Sequence, residues 1–274
     1  MLELVQIELF KLFKQKRTFY GLAVILAIEL FIMAGAYFQG KEVLDVLLAN
    51  LSESFILDGN LMNGHLVMYL VLNSLWFNFP LILMILVSGI LTNEFKDGTI
   101  QTTFLQAVSK RKWITAKLIT SVVFTLLVCL MLIISSMFMA YLIFGQGDLI
   151  TYLSGLNFFE NKDAFKRILL GFTSGALLMV FYGVTSISLG VWFKDQTITW
   201  ILCAFVLIFN GLLLKVDLGP LNYWFLPKVT NSWQLFFYYE INWPVVWHNH
   251  LLLVFYSVLM AVLGGRSFIK NEIG

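Results

Sequence analysis

Charged residues are scarce in this chain, and their scarcity excludes a soluble globular protein. Only 12% of the 274 residues are Asp, Glu, Lys or Arg, whereas 59% are hydrophobic and the mean hydropathy is +0.85. A soluble domain carries about a quarter charged residues, which cover its water-facing surface. The net charge of +2 is too small to indicate a nucleic-acid partner. The surplus apolar surface therefore predicts a protein that is solvated by lipid.

Residue types suited to disulfide, metal or nucleotide chemistry are also few. Cys129 and Cys203 both fall within apolar segments, where a buried small side chain is expected rather than a disulfide or a metal ligand. The histidines are His65, His248 and His250. The last two could reach one metal ion, but two ligands do not make a site. The chain contains no G-x-x-x-x-G-K-[ST], H-E-x-x-H or G-x-S-x-G motif, so we expect no nucleotide, zinc-protease or serine-hydrolase site.

Long apolar segments are present instead. A predominantly apolar run of about 18 residues or more predicts a helix that crosses about 30 Å of hydrocarbon. The segments predict six such spans, at about 19–39, 66–92, 118–144, 168–193, 197–215 and 249–265. The expected fold is therefore a single all-α membrane domain covering residues 1–274.

The N-terminal segment predicts an amphipathic helix in the membrane interface. Over residues 2–17 the apolar and polar side chains occupy opposite helical faces: Leu2, Val5, Leu9, Leu12 and Phe13 against Glu3, Gln6, Lys11 and Lys14. A simple cytoplasmic lead-in to the first span is the alternative. The following apolar stretch is about 20 residues long and contains Glu29, which favours an uncleaved first span over a signal peptide.

The distribution of basic residues predicts that both termini lie in the cytoplasm. Of the 18 Lys and Arg, this orientation places six outside the cytoplasm, namely Lys41, Lys162, Lys166, Arg167, Lys215 and Lys228, and all the others on the cytoplasmic side. The excess agrees with the positive-inside rule. Lys166 and Arg167 oppose it, because they lie at the outer end of the fourth predicted span.

The segment between the second and third spans, 93–117, is rich in polar residues. After Asn93 and Glu94, the pair Gly98-Thr99 predicts a turn, and Thr99 can cap a helix of about Ile100 to Val108. This helix is too short and too polar to span a membrane. Held parallel to the bilayer, it could contact a cytoplasmic partner.

A basic stretch completes this segment. Ser109 begins Lys110-Arg111-Lys112, and Trp113 is placed at the membrane interface. A solvated loop that merely obeys the positive-inside rule is the alternative interpretation.

The long segment at 216–248 predicts short interfacial or re-entrant helices before the sixth span. It is rich in tryptophan, tyrosine and proline, and its two apolar pieces are too short to span. An ordinary folded outer loop is equally compatible with this pattern.

The order of these features resembles the ABC-2-type transporter permeases, and most closely the small permeases of bacterial peptide-antibiotic export and immunity systems. The similarity rests on Glu94-x-x-x-Gly98-Thr99, a short helix, then Val108-Ser109-Lys110-Arg111 and Ala116-Lys117. The basic N-terminal helix, the six spans, Ser188 to Trp200 and the broken outer segment also fit. Many members have a proline before the basic stretch, where this chain has Ala107.

The resemblance implies a transport subunit rather than an enzyme. Such permeases work as a dimer, with an identical or homologous second permease, and two separate ATP-binding cassette subunits that bind ATP and Mg. No cofactor is then expected in this chain. The implied location is the bacterial cytoplasmic membrane, and the implied cargo is an amphipathic or hydrophobic peptide, antibiotic or lipid-like molecule.

The resemblance also assigns residues. Those expected to couple to the ATPase subunit are Glu94, Gly98, Thr99, Thr102, Leu105, Ser109, Lys110 and Arg111. Those expected in the docking interfacial helix are Leu9, Lys11, Phe13 and Lys14.

Polar residues inside the predicted spans are candidates for the pathway or the dimer contact. Glu29 lies near mid-bilayer, where a carboxylate must face protein or water or be protonated. A buried hydrogen bond to another span would serve equally well. Asn73, Asn78 and Pro80 could bend the second span towards a cavity, although helix packing also explains them. In the fourth span, Gly171 begins a stripe of small residues that predicts close helix packing.

Other function classes have less support. Ion or metal-related export rests only on the two neighbouring histidines and ten methionines. A membrane-embedded enzyme would need clustered polar groups at one depth, and a secondary transporter would show an inverted repeat or paired intramembrane charges.

Overall fold

Helices account for nearly all of the regular structure in the computed structural model, which describes residues 1–52, 61–105, 108–153 and 155–270. The helices are α1 (Leu2–Lys14), α2 (Lys16–Ser52), α3 (Gly64–Lys96), α4 (Thr99–Phe104), α5 (Lys110–Phe144), α6 (Asn161–Phe193), α7 (Gln196–Leu213), α8 (Leu226–Thr230) and α9 (Trp243–Lys270). Two strands, β1 (Leu149–Tyr152) and β2 (Leu156–Phe159), and two 3₁₀ helices, Gly219–Tyr223 and Ser232–Phe237, complete the described elements.

Six of the helices are long and apolar enough to cross a membrane, by length and composition. They are α2, α3, α5, α6, α7 and α9, and the prediction of a multi-pass, all-α membrane protein is confirmed. Several of these helices extend beyond the predicted spans, because a helix can continue into the polar residues that flank its apolar segment. Thus α6 begins at Asn161 rather than at 168, and α9 begins at Trp243 rather than at 249.

The centre of the bundle is formed by α3 and α6. Most of the apolar segment of each is buried, whereas less than a quarter of the corresponding segments of α2, α7 and α9 is buried. The peripheral helices instead expose large apolar side chains such as Phe31, Phe38 and Phe205. A helix that exposes apolar residues around most of its circumference is suited to lipid or to another membrane protein.

Small residues allow the central helices to approach closely. A Cβ built on Gly171 would lie 3.0 Å from Leu72 on α3, and one on Gly183 would lie 2.9 Å from Thr125 Oγ1 on α5. One on Gly190 would lie 3.1 Å from Thr92 on α3. The packing role expected for this stripe is therefore confirmed.

A β-hairpin between α5 and α6 was not predicted from the sequence. Its antiparallel strands pair Leu149 with Phe159, and both of these side chains are buried. Four-residue strands carry too little alternation to stand out from the apolar background, and the ladder depends on packing against the helices. We call this end of the bundle the hairpin end.

The segment before α9 consists of short helical turns, as predicted. Trp233, Phe236 and Phe237 are fully buried, so the second 3₁₀ helix is part of the core rather than a solvated loop. Thr151 of β1 donates a hydrogen bond to the Phe237 carbonyl at 3.1 Å, which joins this segment to the hairpin.

Arg167, whose charge opposes the predicted orientation, has a structural role at the hairpin end. Its guanidinium donates to the carbonyls of Phe236 (2.8 Å), Tyr238 (2.7 Å) and Tyr239 (3.1 Å). It also donates to Asp163 Oδ2 at 2.6 Å. A planar group with five donors can satisfy several carbonyls of an irregular segment at once.

We therefore expect Arg167→Met to destabilise the protein by about 3 kcal/mol, because one buried and two partly buried carbonyls lose a charged donor. The free energy of unfolding in detergent measures this effect. Exposed Lys166 on the same helix is the matched control, and Lys166→Met should have little effect. Equal losses in the two variants would show that the carbonyl contacts contribute nothing specific.

Candidate functional site

The opposite end of the bundle, which we call the α4 end, contains the residues expected to couple to a partner. Here α1, α4, the start of α5 and the end of α9 meet. The predicted residues of the loop and of the N-terminal helix thus lie at one end of the molecule. Two of them, Lys11 and Glu94, form a salt bridge at 3.2 Å.

The turn that begins α4 is built on glycine. Gly98 has φ of 66°, a left-handed conformation that glycine adopts without a Cβ clash. Gly98 is itself the N-cap residue, so the prediction that Thr99 caps the helix is wrong. Thr99 is the first helical residue, and its hydroxyl donates to the Glu94 carbonyl at 3.5 Å. The helix ends at Phe104 and is shorter than the predicted Ile100 to Val108, because Leu105 already lies in a turn.

The inner face of α4 is anchored by aromatic packing. Ile100 is buried, and the Phe104 ring lies 5.5 Å from that of Trp113 at the start of α5. Trp113 in turn stacks on Phe268 of α9 with 4.9 Å between ring centroids. Offset aromatic pairs at these distances add stabilisation beyond burial alone. The short helix is thus fixed to two long helices.

The outer face of α4 is open. Gln101 and Thr102 are exposed, and the Leu105 side chain is 88% exposed. Ser109 caps α5 by accepting from the Lys112 N–H at 3.4 Å, and Arg111 is exposed beside it. This outer surface is therefore polar apart from Leu105, and it is accessible to a partner.

A buried lysine joins three helices beneath α4. Lys117 on α5 is fully buried, and its ammonium donates to Glu8 Oε2 of α1 at 2.6 Å and to Glu94 Oε1 of α3 at 2.6 Å. Its third hydrogen bond goes to the Ile90 carbonyl at 2.9 Å, and the ammonium lies 4.7 Å from the centre of the Trp113 ring. All three N–H donors of the buried charge are therefore satisfied.

A second lysine closes the network from the solvent side. Half-exposed Lys11 donates to Glu8 Oε1 at 3.0 Å and to Glu94 Oε1 at 3.2 Å, so two lysines bridge two glutamates. Burial alone would lower the pKa of Lys11, but hydrogen bonds and charge interactions with Glu8 and Glu94 raise it above its ordinary value. The ammonium therefore stays charged throughout the physiological range.

This network changes the interpretation of α1. The helix is present, but its buried residues are Val5, Glu8 and Leu12, which pack towards α5. Leu2 and Phe13, predicted on the apolar face, are exposed, and Leu9 is partly buried. Helix α1 thus holds a buried charge on its protein side and exposes apolar side chains outwards.

A second polar cluster lies where α1 passes into α2. The Arg17 guanidinium donates to Asn93 Oδ1 at 3.3 Å and to the Leu86 carbonyl at 3.2 Å, both on α3. Gln15 accepts from both Arg17 (3.4 Å) and Asn93 (3.3 Å). A Cβ on Gly89 would lie 1.5 Å from Arg17 Nη2, so only glycine leaves room for the guanidinium here.

The intramembrane candidates do not meet at one site. Glu29 is buried, and it accepts a hydrogen bond at 2.8 Å from Ser135 on α5, so its contact is with another span. Asn73 donates to the Tyr69 carbonyl of its own helix at 2.9 Å, and Asn78 is exposed. Helix α3 runs without interruption through Pro80.

The remaining chemistry-bearing side chains are dispersed. Among residues 1–52, 61–105, 108–153 and 155–270, no group of three or more His, Cys, Asp or Glu could hold a metal ion. His248 stacks on Tyr223, whereas His250 contacts Ser174 Oγ at 2.9 Å, so the two histidines face different partners. Cys129 and Cys203 are both buried as free thiols.

Sequence reasoning missed Glu8 and the pairing of Lys117. Glu8 lies between Val5 and Leu12 on one helical face, so an acid in that position was a usable signal. Lys117 lies inside a long apolar helix, where a buried base requires an acidic partner. Each residue was unusual in its own helix, but nothing local pairs Glu8 with Lys117, because 109 residues separate them.

We expect Lys117→Met to destabilise the protein by roughly 3 kcal/mol, because two largely buried glutamates lose the buried one of their two counter-ions and keep only half-exposed Lys11. The free energy of unfolding in detergent measures this loss. Lys112→Met, an exposed position on the same helix, is the matched control and should change stability by less than about 0.5 kcal/mol. If Lys117→Met were as stable as the control, the network would have no role in holding α1.

We expect Gly89→Ala to displace Arg17 and to lower stability by about 1–2 kcal/mol, because the lost hydrogen bonds outweigh the better helix propensity of alanine. The thermal unfolding midpoint in detergent measures this change. Gly211→Ala on α7 is the control, because a Cβ there meets nothing within 4 Å. A higher midpoint for Gly89→Ala would contradict the proposed close contact.

Comparison with known proteins gives a family but not an activity. A family model described as "Protein of unknown function (DUF2705)" matches residues 20–273. No curated protein matches the chain. The match covers α2 from residue 20 and the other five long helices in full, together with α4 and the hairpin, and α1 lies outside it. The chain therefore belongs to the DUF2705 family.

Proposed function

We propose that the chain is a transmembrane subunit of an ATP-binding cassette exporter. In this proposal the six long helices contribute to a pathway for an amphipathic or hydrophobic peptide, antibiotic or lipid-like molecule. Separate ATPase subunits bind ATP and Mg and drive transport, and a second permease, identical or homologous, completes the pathway. The membrane is the bacterial cytoplasmic membrane, and the α4 end faces the cytoplasm.

The observation that carries the proposal is the construction of α4. Its inner face is fixed by Ile100, Phe104 and Trp113, while Leu105 is almost fully exposed on the outer side. A six-residue helix with this arrangement cannot be stable alone and gains little by facing water. It is well suited to transmit a push from a bound partner to α5 and α9.

The ion network supports the same mechanism. Lys117 joins α1, α3 and α5, so a partner that contacts both α1 and α4 would move three helices together. Charged groups at this depth are costly to separate, and the helices are therefore expected to shift as a unit. Movement at the α4 end would then reach the central helix α3.

The basic character of the α4 end supports its cytoplasmic placement. Exposed Lys14, Lys96, Arg111 and Lys112 lie at this end. Of the two basic residues that opposed the orientation, Arg167 binds backbone carbonyls at the hairpin end. The positive-inside rule does not explain a basic residue at the hairpin end, whereas the hydrogen bonds of Arg167 do.

We expect Leu105→Asp to reduce recovery of an ATPase subunit by tenfold or more, because a charge would replace the apolar contact. The measurement is co-purification of the tagged chain with the ATP-binding cassette protein expressed from the same cells, followed by ATPase activity. Leu221→Asp is the control, since Leu221 is 65% exposed at the hairpin end. Transport by the purified chain without any ATPase would falsify the proposal.

A further inference from the structure

A cleft of about 740 Å³ opens at the α4 end between α1, the start of α2, the end of α3, α4 and the start of α7. Its lining includes the end residues of three candidate membrane spans, Lys16, Lys96 and Gln196. The cleft therefore lies at the boundary between the hydrocarbon and the aqueous phase. Lipid head groups occupy this depth.

The charge of the cleft is positive once its internal pairs are removed. Glu8 and Glu94 are neutralised by Lys11 and Lys117. The remaining charged residues of the lining are four basic and one acidic: Lys14, Lys16, Arg17, Lys96 and Asp97. A cluster with this excess attracts an anion.

The basic side chains retain hydrogen-bonding capacity towards an anion. Lys14 and Lys16 are exposed, and Lys14 lies over the Phe10 ring at 5.2 Å without an acidic partner among the described residues. The Arg17 guanidinium adds positive charge beside them, while its terminal nitrogens bind α3 and its Nε is enclosed. Phosphate oxygens suit both lysine and arginine donors.

Apolar side chains beside the cleft suit lipid tails. Phe10 lines it and is 64% exposed, and Phe13, Phe19 and Tyr20 nearby on α1 and α2 are more than half exposed. A basic site that continues into an exposed apolar and aromatic surface matches a molecule with a phosphate head and hydrocarbon tails.

We propose that this cleft binds the head group of an anionic phospholipid, with its phosphate among Lys14, Lys16 and Arg17. The site goes beyond the proposed transport function and does not depend on it, because it requires only a bilayer with anionic lipid. A bound lipid would bridge α1 to α2 and α3 beside the Lys117 network, because Glu8 and Glu94 of that network also line the cleft.

The test is native mass spectrometry of the full chain released from detergent. Phosphatidylglycerol and phosphatidylcholine with the same acyl chains are titrated separately. We expect preferential retention of phosphatidylglycerol, and a loss of about fivefold in affinity for each lysine removed in Lys14→Gln/Lys16→Gln. Both positions are exposed, and an unchanged thermal unfolding midpoint confirms that the variant is folded.

The matched control is Arg111→Gln/Lys112→Gln, which removes two charges at the same end but outside the cleft. Its retention of phosphatidylglycerol should equal that of the parent chain. Equal retention of the two lipids, or equal losses in both double variants, would overturn the proposal.

Two further outcomes identify other occupants. Displacement of phosphatidylglycerol by millimolar inorganic phosphate would show a site for a free anion rather than for a lipid. Loss of ATPase co-purification with unchanged lipid retention in Lys14→Gln/Lys16→Gln would show a protein-docking cleft. Either result would overturn the lipid assignment, and neither depends on the outcome for Leu105.

Discussion

The architecture of the α4 end depends on burying one ammonium group completely. Lys117 sits in a long apolar helix, and an unpaired charge there would cost several kcal/mol. Glu8 and Glu94 remove this cost only if α1, α3 and α5 come together at one level. The position of α1 against the bundle therefore follows from the charge as well as from its apolar residues. The same contact fixes the end of α3, from which the turn to α4 departs.

A buried cation also organises the hairpin end. Arg167 binds three carbonyls of the irregular segment that precedes α9, and its guanidinium lies over the Phe159 ring of the hairpin. In lipid, backbone groups outside helices must find partners within the protein. One arginine thus satisfies three carbonyls at the end of this segment, at Phe236, Tyr238 and Tyr239. A buried, hydrogen-bonded cation thus stabilises each end of the bundle, Lys117 by joining helices and Arg167 by binding backbone carbonyls.

Three features of the α4 end lie close to one another. Leu105 is exposed directly after α4, Lys117 is buried among the long helices, and the basic cleft opens at the span ends. A partner protein, the helix bundle and a lipid head group could therefore be in contact with the same short region simultaneously. Glu94 belongs both to the Lys117 network and to the lining of the cleft. Binding at the cleft and the position of the helices would therefore influence one another through its carboxylate.

Local patterns predicted much of this arrangement because they reflect local physics. Six apolar runs imply six long helices, since every backbone group in lipid must be satisfied within its own segment. The turn at Gly98 was also predictable, because the turn requires a positive φ at one residue and glycine adopts it without a Cβ clash. The N-cap residue of α4 was predicted wrongly. Whether Gly98 or Thr99 takes this position depends on the direction in which the chain leaves α3. The hairpin was missed because Leu149 and Phe159 become strand partners only when α5 and α6 bring them together.

The sequence alone thus determined the class of protein, the number of long helices and the presence of a short helix between two of them, because composition and hydropathy act within each segment. Only the tertiary structure decided which charges meet. Lys117 and Glu8 are separated by 109 residues, and Arg17 contacts Asn93 from 76 residues away. Their pairing depends on how the helices pack, and the close approach at Gly89 depends on the same packing. The residues proposed to bind partner and lipid owe their places to these long-range contacts, which no local pattern specifies.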